Sequence, residues 1–400
     1  MSIRRMAAFW LIAVFVIAAC SSGGASQAPA SEAPASEAPA SEAPASEAPV
    51  SEAPAASTVG VSWNNFQQPR WAKNDQPNIK KVVEDAGGTY IDADANLSNE
   101  QQLTDIDTLI SKGANVLLLL AQDNQAVLPG LQKAKDAGIP VIAYDRLIED
   151  PDILYITFDN VGVGKAEAEA ILAKVPSGNY VLIKGDPGDP NASTFLPQGW
   201  DEAGLKAKVD SGEIKILADQ FTPAWATETA QDNMEAIIDK AVADGTPIDA
   251  ILAENDSTAL GVAGALTAKS YGYPPLSGQD GDEANLQNVA AGIQYVDVWK
   301  NANELGKVAG LAALELCKGT AMAGLTLPDG VIDPTVAPAA GLAAQPFTTP
   351  NGTSVSSFIL QPTPITAENL NLVVDGGWIT KEKLCEKATA DAPAPAAFCQ

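Results

Sequence analysis

From Thr58 onward, short apolar runs alternate with segments of helical spacing. STVGVSW (57–63), TYIDAD (89–94), NVLLLLA (115–121), PVIAYD (140–145) and LYITFD (154–159) read as five strands. NVLLLLA is apolar almost throughout, which predicts a strand buried on both faces. Between them, helical spacing runs over Asn74–Ala86 and stops at Gly87-Gly88. It returns over 99–112, where Leu103, Ile106, Leu109 and Ile110 share a face, and over QAVLPGLQKAKDAG (125–138), where Pro129 predicts a dent. A second series follows: NYVLIKG (179–185), KILADQ (215–220), DAILAEN (249–255) and a short strand near PLSGQD (275–280). These alternate with helices over 225–244 and 256–269, and a further helix covers 303–318. Two successive series of this kind predict an α/β protein with two doubly wound parallel-sheet lobes.

The pattern before Thr58 is different. MSIRR supplies a positive start, MAAFWLIAVFV an apolar core, and Ile17-Ala18-Ala19-Cys20 a small-residue approach to a cysteine. The apolar stretch is short for a spanning helix, and residues 1–19 read as a signal peptide. The order Ile-Ala-Ala-Cys resembles the lipobox of bacterial lipoproteins, which makes Cys20 the lipidation site and places the mature chain outside the cytoplasm on the cell membrane. Residues 20–57 then repeat SEAPA-type units, each carrying one negative charge. Ala, Pro, Ser and Glu bury no core, so this is a semi-extended linker with a reach of roughly 100 Å.

Charge and composition remove several function classes. The formal net charge is −26, from 50 acidic against 24 basic residues, which excludes a basic nucleic-acid footprint. There is no histidine, so Ser-His and Cys-His nucleophile systems are absent and only carboxylate-based catalysis remains open. DADANLSNE (92–100) resembles the start of a calcium loop, but Leu97 stands where the sharp turn demands Gly and the twelfth position lacks Glu. It reads instead as a loop with Ser98 or Asn99 capping a helix. GVG (162–164) lacks the third glycine of a dinucleotide loop. Neither a metal nor a cofactor is expected.

In doubly wound sheets, ligands bind beyond the carboxyl ends of the strands. Polar residues collect at those ends here. The first strand leads to Arg70 and Trp71, and PVIAYD leads to Asp145 and Arg146. NYVLIKG leads to Asn191, KILADQF to Trp225, and DAILAEN to Asn255. SGQDGD presents Asp280, and GIQYVDVWK ends on Lys300. Fixed charges and amides that bond hydroxyls, interleaved with flat indole faces, are what carbohydrate recognition requires.

The ordered series RW (70–71), AYDRLI (143–148), ITFDN (156–160), PNAS (190–193), DQFTPAW (219–225), ENDSTALG (254–261), SGQDGD (277–282) and VWK (298–300) resembles the periplasmic sugar-binding family, type I solute-binding proteins of ABC importers. Within it the closest likeness is to xylose-binding proteins. The likeness spans about 58–320 and resumes near 355–385. It implies two lobes joined by a multi-strand hinge. Residues 58–161 plus about 300–350 would form the N-terminal lobe, and 162–299 plus about 355–400 the C-terminal lobe. It also implies that Arg70, Trp71, Asp145, Arg146, Asn191, Trp225, Asn255, Asp280 and Lys300 grip one monosaccharide, D-xylose or a related aldose. Trp225 would be the stacking residue. The implied partners are that sugar, a membrane ABC permease, and the membrane through the lipid anchor, with the protein a monomer. Three departures stand out: Pro69, TFLPQGW (194–200), and a Gly/Pro/Thr-rich segment around 320–354 expected to decorate the surface or meet a partner.

Two alternatives differ in class. A secreted glycosidase would need two carboxylates about 5–10 Å apart. Asp145 and Asp280 are the pair available, but Arg146 and Lys300 nearby would keep both ionised. A sensor would present the liganded clamp to a membrane receptor. Export permits disulfides. Pairing Cys385 with Cys399 closes a short terminal loop and leaves Cys317 as a buried thiol, while the spacing also permits Cys317–Cys385.

Overall fold

The computed structural model describes residues 57–337 and 343–400. The signal segment, Cys20 and nearly all of the linker lie outside the described residues. Twelve strands are present among those described. They are β1 (Thr58–Trp63), β2 (Thr89–Asp94), β3 (Val116–Leu119), β4 (Val141–Tyr144), β5 (Ile153–Phe158), β6 (Gly178–Lys184), β7 (Ile214–Phe221), β8 (Ala250–Ala253), β9 (Asp297–Trp299), β10 (Gln345–Thr348), β11 (Ser354–Leu360) and β12 (Thr363–Ile365).

The first lobe is built on a seven-stranded sheet ordered β10-β11-β5-β4-β3-β1-β2. Its strands are parallel except β10, which runs antiparallel along β11. Side chains alternate across the sheet with period two. Val59, Val61, Leu118, Ile142 and Ile156 pack on one face, while Leu117, Leu119, Val141, Ala143 and Tyr155 pack on the other. The second lobe centres on the parallel strands β7-β6-β8. Where a short strand was expected near PLSGQD there are two single bridges, Ile251–Leu276 and Gln279–Val298. They extend this sheet towards the β9–β12 pair.

Three segments cross between lobes. β5 runs into helix Asn160–Lys174, β9 runs through Lys300 into helix Ala302–Cys317, and β11 runs into β12. Asp159 ties two of these together: its carboxylate accepts from Gly162 N (2.9 Å) at the helix start, and its N–H donates to Leu360 O (2.8 Å). Helix Ala302–Cys317 returns to the first lobe, where Leu305, Val308, Ala309 and Ala312 join the core beside Val59 and Ile79.

Several expectations change. Ser354–Leu360 pairs with β5 in register, so the chain from 355 to 360 belongs to the first lobe's sheet and the last crossing falls at Gln361. It lies between β10 and β5, a position that only tertiary pairing assigns. The Gly/Pro/Thr-rich segment is not mere decoration: Leu325, Leu327, Ile332 and Val336 are buried in the first-lobe core, and β10 lines the sheet edge. Pro129 makes no dent, because the helix begins at Leu128 and the proline sits in its first turn, where no N–H is needed. The helix expected from 225 begins at Thr227, with Trp225 in a tight turn before it. Ser98 is the residue that caps Asn99–Ser111, accepting from Gln101 N at 3.1 Å. Cys385 and Cys399 form a disulfide with Cα atoms 5.3 Å apart. Cys317 is free and only half-buried.

TFLPQGW supplies part of the second lobe's core. Leu196 and Trp200 are buried there, and Trp200 Nε1 donates to the buried Glu167 at 2.8 Å. Gly199 lets helix Leu196–Glu202 lie directly on Asn160–Lys174, because a Cβ there would stand 2.5 Å from Lys165 N. Gly199→Ala should therefore destabilise the protein by about 1–3 kcal/mol. The urea-unfolding midpoint checks this; an unchanged midpoint would show that the two helices separate freely.

Candidate functional site

The nine residues picked out at strand ends all line one cleft between the lobes, together with Gln68, Asp189 and Gln279. Arg70 is its centre. It stands at the start of the tight helical turn Trp71–Asp75 and is 2% exposed. Its guanidinium holds Asp75 with two bonds, Nε–Oδ2 at 3.2 Å and Nη2–Oδ1 at 3.0 Å. Nη2 also lies 3.0 Å from Asp145 Oδ1, and Nη1 donates to Asp280 Oδ1 at 2.9 Å. Asp145 comes from the first lobe and Asp280 from the second, so one side chain spans the cleft. Asp75 in turn accepts from Tyr144 OH at 2.6 Å.

Lys300, on the second crossing, stands 3.6 Å from both Asp145 Oδ1 and Asp280 Oδ1. Arg146 reaches across the other side, with Nε 2.9 Å from Asp189 Oδ2 and Nη1 donating to Ala121 O at 3.1 Å. Asn191 is held by Asn160 Nδ2 at 3.0 Å and extends its own amide towards Asp145 O at 3.4 Å. Asn255 caps helix Asp256–Ala268 by accepting from Thr258 N at 2.9 Å, which leaves its Nδ2 as the donor for the cleft. Trp71 is anchored to Gln68 Oε1 at 2.8 Å and carries Arg70 over its ring at 4.1 Å.

Burial opposes the Arg70 charge, but Asp145, Asp75 and Asp280 more than offset it, so its pKa stands above the ordinary value. Burial likewise pushes the Asp145 carboxyl up, and Arg70, Lys300 and Arg146 together outweigh that and hold it below the usual range. Burial outweighs the neighbouring cations at Asp75 and Asp189 and pushes both carboxyls above their ordinary value. Three cations, Arg70, Arg146 and Lys300, face four carboxyl groups, Asp75, Asp145, Asp189 and Asp280, so the cluster is close to charge balance. Such a site suits a neutral, hydroxyl-rich guest rather than an ion. Two further groups fit that chemistry. Trp225 Nε1, a donor, and Gln279 Oε1, an acceptor, are buried without a hydrogen-bond partner among the described residues.

The backbone is strained where the site is built. Asp145 (φ 61°), Trp225 (φ 56°) and Asp280 (φ 110°) all occupy positive φ, which non-glycine residues seldom adopt. Such conformations cost on the order of 1–3 kcal/mol each and persist where function fixes them. Trp225 also needs Gly185 beneath it, since any Cβ there would collide with the indole ring. The free space left among the twelve lining residues is about 20 Å³, room for about one water. A ring-sized guest enters only if the lobes part. A roomier surface groove of about 580 Å³ lies between β7 and helix Thr227–Asp244, but it lacks convergent buried polar groups.

A periplasmic binding protein domain matches residues 59–321. The chain belongs to the periplasmic binding protein family. Relatives include the D-xylose-binding periplasmic protein of Escherichia coli, 37% identical over 69% of this chain and 82% of that protein. The protein of the same name in Haemophilus influenzae is 31% identical over 82% of this chain and 91% of its own. Among solved structures, an ABC transporter solute-binding protein from Clostridium phytofermentans with bound β-D-glucose superposes with a TM-score of 0.71. It is 34% identical and covers 82% of this chain and 99% of its own. The fold is the type I fold of periplasmic binding proteins, and these relatives are binding proteins of transport systems rather than enzymes.

Sequence reasoning missed Gln68, Asp75, Asp189 and Gln279. Gln279 lies inside SGQDGD beside Asp280, and Asp189 stands just before PNAS; adjacency is their only signal. Asp75 lies in a helix, where a carboxylate reads as surface. Close to Asp280, Asp282 has its pKa raised to about 7, first by burial and then by Asp280. A carboxyl raised in the folded state makes stability fall as pH rises from about 4, where the unfolded group ionises, to about 7. Asp282→Asn should therefore be more stable than the native protein at pH 7.5, with the gain vanishing by pH 4. Urea midpoints across that range check it, and a pH-independent difference would refute it.

Proposed function

We propose that this periplasmic binding protein captures a neutral monosaccharide between its lobes and delivers it to a membrane ABC permease. The observation that carries the reading is the Arg70 bridge: one guanidinium engages carboxylates of both lobes inside a pocket where three cations face four carboxyl groups. Hydroxyl groups both donate and accept, so a sugar can satisfy Arg70, Lys300 and Asn255 as donors to it and Asp145 and Asp280 as acceptors from it. Trp225 offers a flat face for the ring. D-xylose is the first candidate, from the relatives named for it, with glucose next from the solved neighbour. The motif Ile17-Ala18-Ala19-Cys20 supports a lipid anchor at Cys20 and an extracytoplasmic site of action.

Binding is a clamp. The guest makes its full set of contacts only when both lobes face it, so it shifts the population towards the closed form by its differential affinity. Titration with an aldose panel, followed by tryptophan fluorescence, tests the reading; a flat response to every aldose counts against it. Asp145→Ala removes charge-assisted bonds worth about 1.5–3 kcal/mol and should weaken binding roughly 10- to 150-fold. Native-like affinity in that variant would take Asp145 out of the site. For the anchor, Cys20→Ser should release the protein from the membrane fraction and abolish incorporation of labelled fatty acid.

A further inference from the structure

The turn that carries Asn191 ends in Phe195, and that ring is seated in the opposite lobe. The turn Asn191–Phe195 runs directly into helix Leu196–Glu202, which packs on Asn160–Lys174 of the second lobe. Yet Phe195, only 6% exposed, belongs to the apolar cluster of the first lobe, with Tyr155 and Val355. Its ring stands 6.0 Å from Phe347 in an edge-on arrangement, and Phe347 lies 5.6 Å from Tyr155. Tyr155 is on β5. Phe347 is on β10, the edge strand formed by the segment that departs from the family pattern. Neither Phe195 nor Phe347 lines the cleft.

We propose that Phe347 is a positioning residue for the cleft: with Tyr155 it seats Phe195 and so holds the turn bearing Asn191 against Asp145 and Arg146 when the lobes are together. The inference rests on reading the cleft as a monosaccharide site. Rotation about the three crossings carries Phe195 with the second lobe and leaves Tyr155 and Phe347 behind on the sheet. The aromatic contact is therefore made in the closed arrangement and lost on opening. A contact present in one state only biases the equilibrium between the two by its own worth. Edge-on aromatic pairs of this kind carry enough for about a three- to tenfold change in an equilibrium constant. The seat raises affinity without touching the guest, so it acts on every sugar alike.

The test compares full-length native protein with Phe347→Ala and Phe347→Leu. Amide hydrogen exchange without sugar should rise in the variants over residues 191–200 and over Arg70–Asp75. The second of these segments lies across the cleft, where a purely local packing defect would not reach. Sugar should dissociate about three to ten times faster from Phe347→Ala, with the ranking of sugars unchanged. Phe347→Leu, which keeps apolar bulk on the strand, decides the case if Phe347→Ala does not fold. Native exchange in both segments and a native dissociation rate, in a folded variant, overturn the proposal. If the native protein binds no sugar, the reading of the cleft fails; the exchange comparison needs no sugar and still supports or overturns the seat.

Discussion

A single buried guanidinium organises this molecule. Arg70 has five N–H donors in a rigid plane, and three carboxylates from three parts of the chain converge on it. Removing such charges from water costs several kcal/mol per ion unless partners surround them. Asp75, Tyr144 and Trp71 fix the guanidinium from the first-lobe side, so its remaining donors are aimed at Asp145 and at Asp280 across the cleft. Backbone at positive φ presents both carboxylates, Asp145 just after β4 and Asp280 just after the single bridge at Gln279. The strain is held locally, and the packed sheets on either side sustain it.

The same network explains why a rigid scaffold serves a moving function. With the lobes together the polar groups largely satisfy one another, and only about 20 Å³ remains between them. A sugar must exchange those internal bonds for its own. What it gains is therefore the difference between two well-bonded states. Lys300, equidistant from Asp145 and Asp280 and placed on a crossing segment, couples the site to the hinge by its position in the chain. Asp159 links two of the three crossings by hydrogen bonds.

The late part of the chain gives the first lobe its edge and part of its core. β10 and β11 close one side of the seven-stranded sheet, and the residues before them add Leu325, Leu327, Ile332 and Val336 to the interior. A segment rich in Gly, Pro and Thr lacks regular periodicity, yet spaced apolar residues suffice to dock it when a core is already present. The disulfide between Cys385 and Cys399 then secures a small terminal cluster around Leu286, Val373 and Leu384.

Much of this was legible in the chain itself. Period-two and uniformly apolar runs determined β1 to β8, because burial on a sheet face is a local demand on each side chain. Placement at strand ends picked out the nine residues from Arg70 to Lys300, because a parallel sheet delivers its carboxyl ends to one crevice. The tertiary structure alone decided the rest. That Ser354–Leu360 pairs with β5, that Asp75 is an interior partner of Arg70, and that Phe195 leans into the other lobe all depend on contacts between residues far apart in sequence. Long-range pairing energy, unlike periodicity, leaves no mark on neighbouring positions, so the strand ends could be read while the groups that hold them in place could not.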